Sequence, residues 1–434
     1  MQRKIVGIFI STLLVTLIIP FEIQANVQYD PLDGGWIEEI DGVKILHVSG
    51  SYYEMGYQQG YLFKNEILEN IRLRNSSLGE HGWTFEKRAE VWDIQKNYLP
   101  FEYIEEIRGM ADGSGFTFEE IAIHNMWIGV FNLMSCWGAV LWGDATANGE
   151  LYHVRSCDGS IDLKDPISGV TLNENTHLIV REPDNAFSSM YPFYPGDVIS
   201  LGGINENGVG IGELSIICSD TQFQGINSGF RMRMVLDYAT DVYQAIEIMN
   251  SNRTCGWNFI VSDGNLSLGF AIEQSANYEY TGTWCDPIES TDPFWEIKDV
   301  VRRGNCYINP LLAQNERENY DPSGLLGFIK FIFNKNLYYG IWMQYKAISD
   351  EIEKQYGFLN LSNTMELLRD VYAGNTNFIF KYVQKRRYYE SRHLWVTCPK
   401  TGDILICFGD NIKKAYENPV HHFNLYELLN SEPP

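Results

Sequence analysis

Four residues of this chain have the types and the spacing that nucleophilic catalysis by a thiol would use. Cys136 opens an apolar, alternating run that turns at Asn148-Gly149, and the return run carries Arg155 and Asp158. Because alternating runs joined by Asn-Gly are typical of β-hairpins, we expect the thiol to lie beside a guanidinium and a carboxylate. A later strand-like run begins at Asn258, whose side-chain amide could donate a hydrogen bond to an oxyanion.

Other interpretations of Cys136 exist. A lone cysteine is more often a small buried core residue than a nucleophile. Ser135-Cys136-Trp137 is similar to the nucleophile context of papain, but Leu133-Met134 stands where that family has Cys-Gly. The residues that follow alternate as in a strand, and the next histidine after His177 is His393, which is too far along the chain for the papain spacing. The papain interpretation is therefore disfavoured.

The composition limits the classes of function that the 434 residues can serve. A formal net charge of −23 opposes binding to nucleic acid phosphates and to anionic membranes. The 45% hydrophobic and 14% aromatic content is typical of a well-packed globular protein. None of the eight cysteines is in a C-x-x-C pair and none of the eight histidines is in an H-E-x-x-H motif, so we expect no metal and no cofactor.

The first 25 residues have the layout of a secretory signal peptide, with Arg3 and Lys4, an apolar stretch that ends at Pro20, and a small residue, Ala25, as the cleavage site. An uncleaved anchor is the alternative, although about 16 apolar residues are short for a membrane span. We therefore predict a secreted protein. Disulfides could form outside the cell, but the sequence does not tell which cysteines would pair. Cys157 is expected to point away from Arg155 and to be a core residue or a disulfide partner.

Helices and hairpins must position the candidate residues. Capping boxes at Ser51–Glu54 and Thr117–Glu120 predict two helix starts, and Gly56 and Gly60 would let another element approach the first helix closely. Helical patterns cover about 228–250, 324–356 and 362–374. Four dipeptides between alternating runs predict hairpins, namely Asn148-Gly149, Asn207-Gly208, Asp263-Gly264 and Thr401-Gly402. The expected fold class is α+β, a four-layer αββα sandwich of two antiparallel sheets between helices.

Several segments, in this order, resemble the Ntn-hydrolase superfamily, and within it the isopenicillin N acyltransferase-like (peptidase C45-type) autoproteolytic enzymes. The segments that carry the resemblance are Gly50–Gly60, Glu106–Gly115, Arg155–Asp158, Gly203–Gly210, Asn258–Glu273 and Arg302–Pro322. The chain departs from the family at Asn305-Cys306, where Asn-His is frequent, and at Glu213, where Asn is common. These departures concern the selection of substrate more than the chemistry.

The resemblance implies a role for each candidate residue. It implies autocatalytic cleavage between Ser135 and Cys136, after which the new α-amine of Cys136 serves as the base for its own thiol. Arg155 would favour the thiolate, Asp158 would hold the α-amine, and Asn258 would donate to the oxyanion. Glu213 and Arg303 would be candidate substrate-binding residues. An ordinary ion pair for Arg155 and Asp158, a turn role for Asn258, and solvated charges for the other two remain open.

The preferred hypothesis is a secreted, autoprocessing cysteine hydrolase or acyltransferase that cleaves a linear amide bond of an N-acylated small molecule or lipid. Residues 1–25 would be the signal peptide, 26–135 an N-terminal helical segment, and 136–434 the catalytic domain. The two processed chains would stay associated, and a membrane would be contacted only through an uncleaved leader. A phospholipase B-like esterase that uses the same residues, and a catalytically silent binding protein, are the alternatives.

Overall fold

The computed structural model describes residues 30–127, 135–316, 324–334, 337–387 and 390–433. By its contacts the chain divides into two units, Met1–Asp30 and Pro31–Pro434, and all the described helices and strands belong to the second. The predicted signal peptide lies outside the described residues, as do residues 128–134 just before Ser135.

The described strands are, in chain order, β1 (Trp36–Ile40), β2 (Val43–Gly50), β3 (Ser135–Gly143), β4 (Gly149–Gly159), β5 (His177–Pro183), β6 (Ser189–Phe193), β7 (Gly202–Asn205), β8 (Val209–Ser215), β9 (Trp257–Asp263), β10 (Leu268–Gln274), β11 (Glu279–Gly282), β12 (Val300–Arg303), β13 (Glu390–Cys398), β14 (Asp403–Phe408) and β15 (His421–Asn424). The described α-helices are α1 (Tyr52–Leu62), α2 (Lys64–Glu80), α3 (Phe85–Gln95), α4 (Phe101–Ser114), α5 (Phe118–His124), α6 (Ser228–Tyr238), α7 (Val242–Asn250), α8 (Pro310–Ala313), α9 (Gly324–Asn334), α10 (Leu337–Lys354), α11 (Leu361–Ala373), α12 (Phe378–Arg387) and α13 (Leu425–Leu428). Within these residues, no helix combines the length and the hydropathy needed to cross a membrane.

The strands form two sheets. A nine-stranded sheet has the order β1-β2-β5-β6-β7-β8-β9-β10-β11, and a six-stranded sheet has the order β12-β3-β4-β13-β14-β15. The named strand pairs are antiparallel except β2 with β5, which run parallel. All four predicted hairpins are present. Gly149, Gly208 and Gly402 supply the positive φ that tight connections require, whereas in the connection after Asp263 the residue with positive φ is Ser267.

The two sheets pack face to face, with β3 against β8 and β9, and helices cover both outer faces. Helices α6 and α7 pack on the nine-stranded sheet, and α10 and α11 on the six-stranded sheet. Strand alternation divides the side chains of β3 between the layers. Cys136 and Val140 belong to the core that includes the nine-stranded sheet, whereas Trp137 and Ala139 belong to the core beneath α10 and α11. The predicted α+β class, with two central sheets between helices, is confirmed.

Helices α1 and α4 cross at glycine contacts on both sides. A Cβ added to Gly56 would lie 2.0 Å from the carbonyl oxygen of Glu106, and one added to Gly109 would lie 1.9 Å from that of Tyr53. The prediction that Gly56 and Gly60 admit a close neighbour is therefore confirmed. Both predicted capping boxes also form, at the starts of α1 and α5.

The N-terminal segment predicted as helical over 26–135 contains the helices α1 to α5, but the prediction missed two strands that precede them. Its first described part is a β-hairpin, in which β1 and β2 are joined at Asp41 and Gly42, both with positive φ. Val43 and the consecutive residues 45–48 of β2 are buried, and the strand pairs with β5 in the nine-stranded sheet. The segment before Cys136 therefore contributes strands to a sheet that is completed by residues after Cys136.

Candidate active site

Cys136 lies near the start of β3, in the interior of the six-stranded sheet, and its side chain is fully buried. It faces the nine-stranded sheet together with Gly138, which pairs with Arg155 on β4. A Cβ added to Gly138 would lie 3.3 Å from Ile260 of the opposite sheet. A glycine at this position therefore lets the two sheets approach each other next to the thiol.

The thiol of Cys136 contacts one cation and one carboxyl group. Its Sγ lies 3.9 Å from Arg155 Nη2 and 3.9 Å from Glu213 Oε1. Arg155 and Glu213 also form an ion pair with each other, and Arg155 Nε donates to the Glu213 carbonyl oxygen at 3.2 Å. All three side chains are buried. The structure thus brings the predicted nucleophile, the predicted thiolate-stabilising cation and the candidate substrate residue Glu213 into one contact group.

The protonation states of this group follow from burial and from the charges in it. Burial raises the pKa of Glu213 to about 7, although the Arg155 guanidinium opposes the rise. Burial acts to lower the pKa of Arg155, but Glu213, Cys157 and Cys136 together outweigh it, so the pKa stays above its ordinary value and Arg155 keeps its charge. Burial, the Cys157 thiol and the Glu213 carboxylate all raise the pKa of Cys136, and Arg155 opposes them. The thiol is therefore protonated near neutral pH, with a carboxyl group that titrates in that range beside it.

Asp158 lies on the other face of β4. It is three residues from Arg155, so alternation directs it to the helix-covered side. Its Oδ2 accepts hydrogen bonds from Tyr372 at 2.7 Å and from Gln344 Nε2 at 2.8 Å, and both donors belong to helices. The expectation that Arg155 and Asp158 together flank the thiol is thus corrected, because the carboxylate beside the thiol is Glu213.

Asn258, the predicted oxyanion donor, uses its amide to hold the chain after β12. Its Nδ2 donates to the carbonyl oxygens of Gly304 at 3.0 Å and Cys306 at 2.8 Å. Both amide hydrogens are therefore engaged in the uncleaved chain. An oxyanion could receive a hydrogen bond from Asn258 only after one of these two bonds had been released.

Asn305 is a site residue for which the sequence predicted no role in the chemistry, although Asn305-Cys306 was noted as a departure from the family. Its Oδ1 accepts a hydrogen bond from the backbone N–H of Cys136 at 2.5 Å, and its Nδ2 donates one to the Ser215 carbonyl oxygen at 2.8 Å. The available signal was an amide side chain two residues after the end of β12. That strand pairs with β3 across more than 150 residues of sequence, so only the sheet register shows that Asn305 lies opposite Cys136.

Arg303 was predicted as a candidate substrate-binding residue, and the structure contradicts this. Its Nε donates to Glu273 at 2.8 Å, and its two terminal nitrogens donate to Glu289 at 2.6 and 2.8 Å. The three side chains are buried. Glu273, Glu289 and the Arg302 carbonyl oxygen accept four hydrogen bonds from this buried guanidinium, so Arg303 serves as an internal ion pair.

Cys157 lies directly opposite Cys136 in the β3–β4 register. Residues two apart on a strand share a face, so Cys157 faces the same side as Arg155, and the expectation that it points away from Arg155 is wrong. All eight cysteines carry free thiols in the structure. Of the predicted cleavage pair, Ser135 is described through its backbone, which pairs with Asp158. The described part of the chain contains no group of three or more metal-ligating side chains.

Comparison with known proteins gives distant matches. No family model matches the chain. It is 24% identical over 402 residues to an uncharacterized protein of Archaeoglobus fulgidus, in a match that covers 82% of this chain and 62% of that protein. It is 23% identical over 299 residues to protein dcd1A of Dictyostelium discoideum, covering 60% of this chain and 65% of that protein. These two matches span less than two thirds of either relative. The match to dcd1B of the same organism, 24% identical over 436 residues, covers 92% of this chain and 77% of that protein.

Three solved structures resemble the fold weakly. An N-acylethanolamine-hydrolyzing acid amidase ortholog of Caenorhabditis elegans is 10% identical with a TM-score of 0.36, covering 61% of this chain and 93% of that chain. A variant of the conjugated bile acid hydrolase of Clostridium perfringens is 12% identical with a TM-score of 0.39, covering 67% and 93%. Penicillin V acylase of Agrobacterium tumefaciens is 12% identical with a TM-score of 0.38, covering 67% and 87%. At these values the likeness carries no argument, and the function must rest on the geometry of this chain.

Proposed function

We propose that the chain is an autoprocessing cysteine hydrolase or acyltransferase in which Cys136 becomes the N-terminal nucleophile. Its substrate is a linear amide bond of an N-acylated small molecule or lipid. The observation that carries the proposal is the contact of Cys136 Sγ with both Arg155 and Glu213 in the buried space between the sheets. Burying two charges costs several kcal/mol before they pair, and a purely structural thiol would need neither of them.

The first proposed reaction takes place on the chain itself. Glu213 accepts the thiol proton of Cys136, and the sulfur attacks the carbonyl carbon of Ser135. The C–S bond forms as the C–N bond between Ser135 and Cys136 breaks, and the departing nitrogen takes up a proton. Water then hydrolyses the thioester, which gives a carboxylate at Ser135 and restores the thiol. A carboxyl group with a pKa of about 7 supports this step, because the uncleaved Cys136 has no α-amine to act as base.

The second proposed reaction is turnover of substrate. The α-amine of Cys136, with an unperturbed pKa of about 7.7–8, takes the thiol proton as the sulfur attacks the substrate carbonyl, and gives it to the leaving amine. Water or an acceptor amine then removes the acyl group from the sulfur. Arg155 favours the thiolate by its fixed charge. The holding of the α-amine by Asp158 and the oxyanion contact of Asn258 stay predictions.

Secretion through residues 1–25 and association of the two processed chains are further parts of the proposal. Contacts across the cut support the association. Strand β2 pairs with β5, and Glu106 of α4 receives two hydrogen bonds from Arg181 at 2.6 and 3.0 Å. Since both Glu106 and Arg181 are buried, separation of the chains would expose or unpair them.

The decisive experiment is the intact mass, under denaturing conditions, of wild type, Cys136→Ala and Cys407→Ala. Cys407→Ala is the matched control, because it removes an equally buried thiol on β14, a strand separated from β3 by β4 and β13. We expect wild type and the control to give two chains cut between Ser135 and Cys136, and Cys136→Ala to stay whole. If all three stay whole, or if Cys136→Ala is cut at the same bond, the proposal is wrong.

Turnover is tested next with a panel of an N-acylethanolamine, a conjugated bile acid and penicillin V, the compound types named for the solved structures above, together with a phospholipid. Amide cleavage that is lost in Cys136→Ala supports the proposal. Cleavage of the phospholipid ester alone would favour the esterase alternative. A processed or unprocessed protein that binds but cleaves nothing, with Cys136 inert to an alkylating reagent, would favour the silent binding protein.

A further inference from the structure

The side chain of Asn305 forms a hydrogen bond with β3 next to the nucleophile, where the pairing of β12 with β3 has ended. Strand β12 pairs with β3 from Val300 opposite Leu141 to Arg303 opposite Gly138, and the ladder between named strands ends there. Beyond this point the backbone N–H of Cys136 donates to Asn305 Oδ1 at 2.5 Å. The nitrogen that would become the catalytic amine is thus held by a side-chain oxygen.

The orientation of this amide is fixed by its two partners. Asn305 Nδ2 lies 2.8 Å from the Ser215 carbonyl oxygen, which can only accept a hydrogen bond, and Oδ1 faces the Cys136 N–H, which can only donate one. The side chain is buried, with 7% of the residue exposed. The two residues that flank Asn305 are also held by hydrogen bonds, because Asn258 Nδ2 donates to the carbonyl oxygens of Gly304 and Cys306.

We propose that Asn305 is a positioning residue for the α-amine of Cys136, and that Asn258 holds the segment that carries it. This inference rests on the proposed function. After cleavage the same nitrogen carries hydrogens and, when neutral, one lone pair. A hydrogen bond to Asn305 Oδ1 fixes one N–H direction, so that the lone pair can turn toward the thiol on the same residue. Because Asn305 is neutral, its own hydrogen bond raises the pKa of the amine less than a carboxylate in the same place would, and the predicted contact of the amine with Asp158 would act in addition.

The test compares wild type, Asn305→Asp, Asn305→Ala and Asn305→Gln after processing has been verified by intact mass. The pKa of the Cys136 α-amine is followed by NMR of protein labelled with ¹³C-cysteine, which needs no substrate. Asn305→Asp, nearly the same in shape, should raise that pKa by at least about one pH unit, because a carboxylate within hydrogen-bond distance stabilises the ammonium form. Asn305→Ala and Asn305→Gln should leave the pKa within about one unit of wild type.

Turnover of an amide that wild type cleaves gives the second readout. Asn305→Ala should lower kcat by about 10- to 100-fold with little change in KM, because a misplaced base costs rate rather than binding, and Asn305→Gln should recover part of it. An unchanged α-amine pKa in Asn305→Asp together with wild-type kcat in Asn305→Ala would overturn the inference while leaving the proposed function intact. Wild type that is not cut at Cys136 would overturn both, and the intact-mass measurement separates these two failures.

Discussion

The substitution Glu213→Gln, made in a Cys136→Ala background so that the chain stays uncleaved, tests the protonation behaviour on which self-cleavage depends. Glu213 forms a buried ion pair with Arg155, so the simple expectation is that losing its charge destabilises the fold. Burial nevertheless raises the pKa of Glu213 to about 7 from an ordinary value of 4.5. The charged form of this side chain is therefore less favourable in the folded protein than in the unfolded chain.

The sign of the pH dependence follows from linkage. An acid whose pKa is raised by folding binds more protons in the folded state, so its contribution to stability falls as pH rises from about 4.5 to about 7. At about 1.4 kcal/mol for each pH unit, the contribution lost is on the order of 3 kcal/mol. Glutamine resembles the protonated side chain at every pH. We expect the variant to gain about 3 kcal/mol relative to its parent between pH 4.5 and pH 8.

Urea unfolding of the parent and the variant at pH 4.5, 6 and 8, followed by tryptophan fluorescence, measures this difference. Glu206→Gln is the control, because it makes the same chemical change at a residue that is exposed at a hairpin turn. If Glu213→Gln loses stability relative to its parent as pH rises, then the ion pair is net stabilising and the pKa of Glu213 lies below 4.5. Glu213 would then be ionised throughout the neutral range, which is too acidic for the proton acceptor that the proposed self-cleavage assigns to it.

Two further predictions concern the frame around the site. Gly109→Ala should destabilise the fold by about 1–3 kcal/mol, because its Cβ would lie 1.9 Å from the Tyr53 carbonyl oxygen. The helical control Gly79→Ala, whose Cβ would have no atom within 4 Å, should be neutral or slightly stabilising. Equal melting temperatures for the two variants would show that α1 and α4 do not need the close crossing. Arg303→Met should destabilise by about 3–5 kcal/mol, because it leaves two buried carboxylates without their cation. A raised KM of Arg303→Met at an unchanged melting temperature would instead support a role of Arg303 in substrate binding.

Local patterns in the sequence predicted local structure well. The capping boxes, the four tight turns and the paired glycines each depend on residues within a few positions of one another, and the structure contains all of them. The hairpin around Asn148-Gly149 also brings Arg155 opposite Gly138, next to Cys136. This register depends on the connection formed by residues 144–148 and on a register shift between Leu141 and Gly143. The sequence therefore predicted that Arg155 lies near the thiol, but not the register that brings it there.

Contacts between distant segments could not be predicted in the same way. Glu213 lies in the other sheet, and Asn305 follows the C-terminal end of β12. Their distances to Cys136 therefore depend on sheet packing and on strand pairing between segments that are far apart in the sequence. Asp158 is a different case, since strict alternation from Arg155 already assigns it to the opposite face of β4. The prediction that Asp158 lies beside the thiol followed the family pattern Arg-x-x-Asp and left the alternation of the strand aside.

The position of the proposed cut gives the fold a property that neither chain would have alone. Residues before Cys136 supply β1 and β2 to the nine-stranded sheet, and they also supply Glu106 and Arg74 to buried ion pairs with Arg181 and Asp197 beyond the cut. Neither half can bury these groups without the other. Glu213 also reaches Cys136 only when the two sheets are packed together. The group that would start the self-cleavage is thus assembled only in the folded chain, and the same contacts would keep the two products together after the bond is broken.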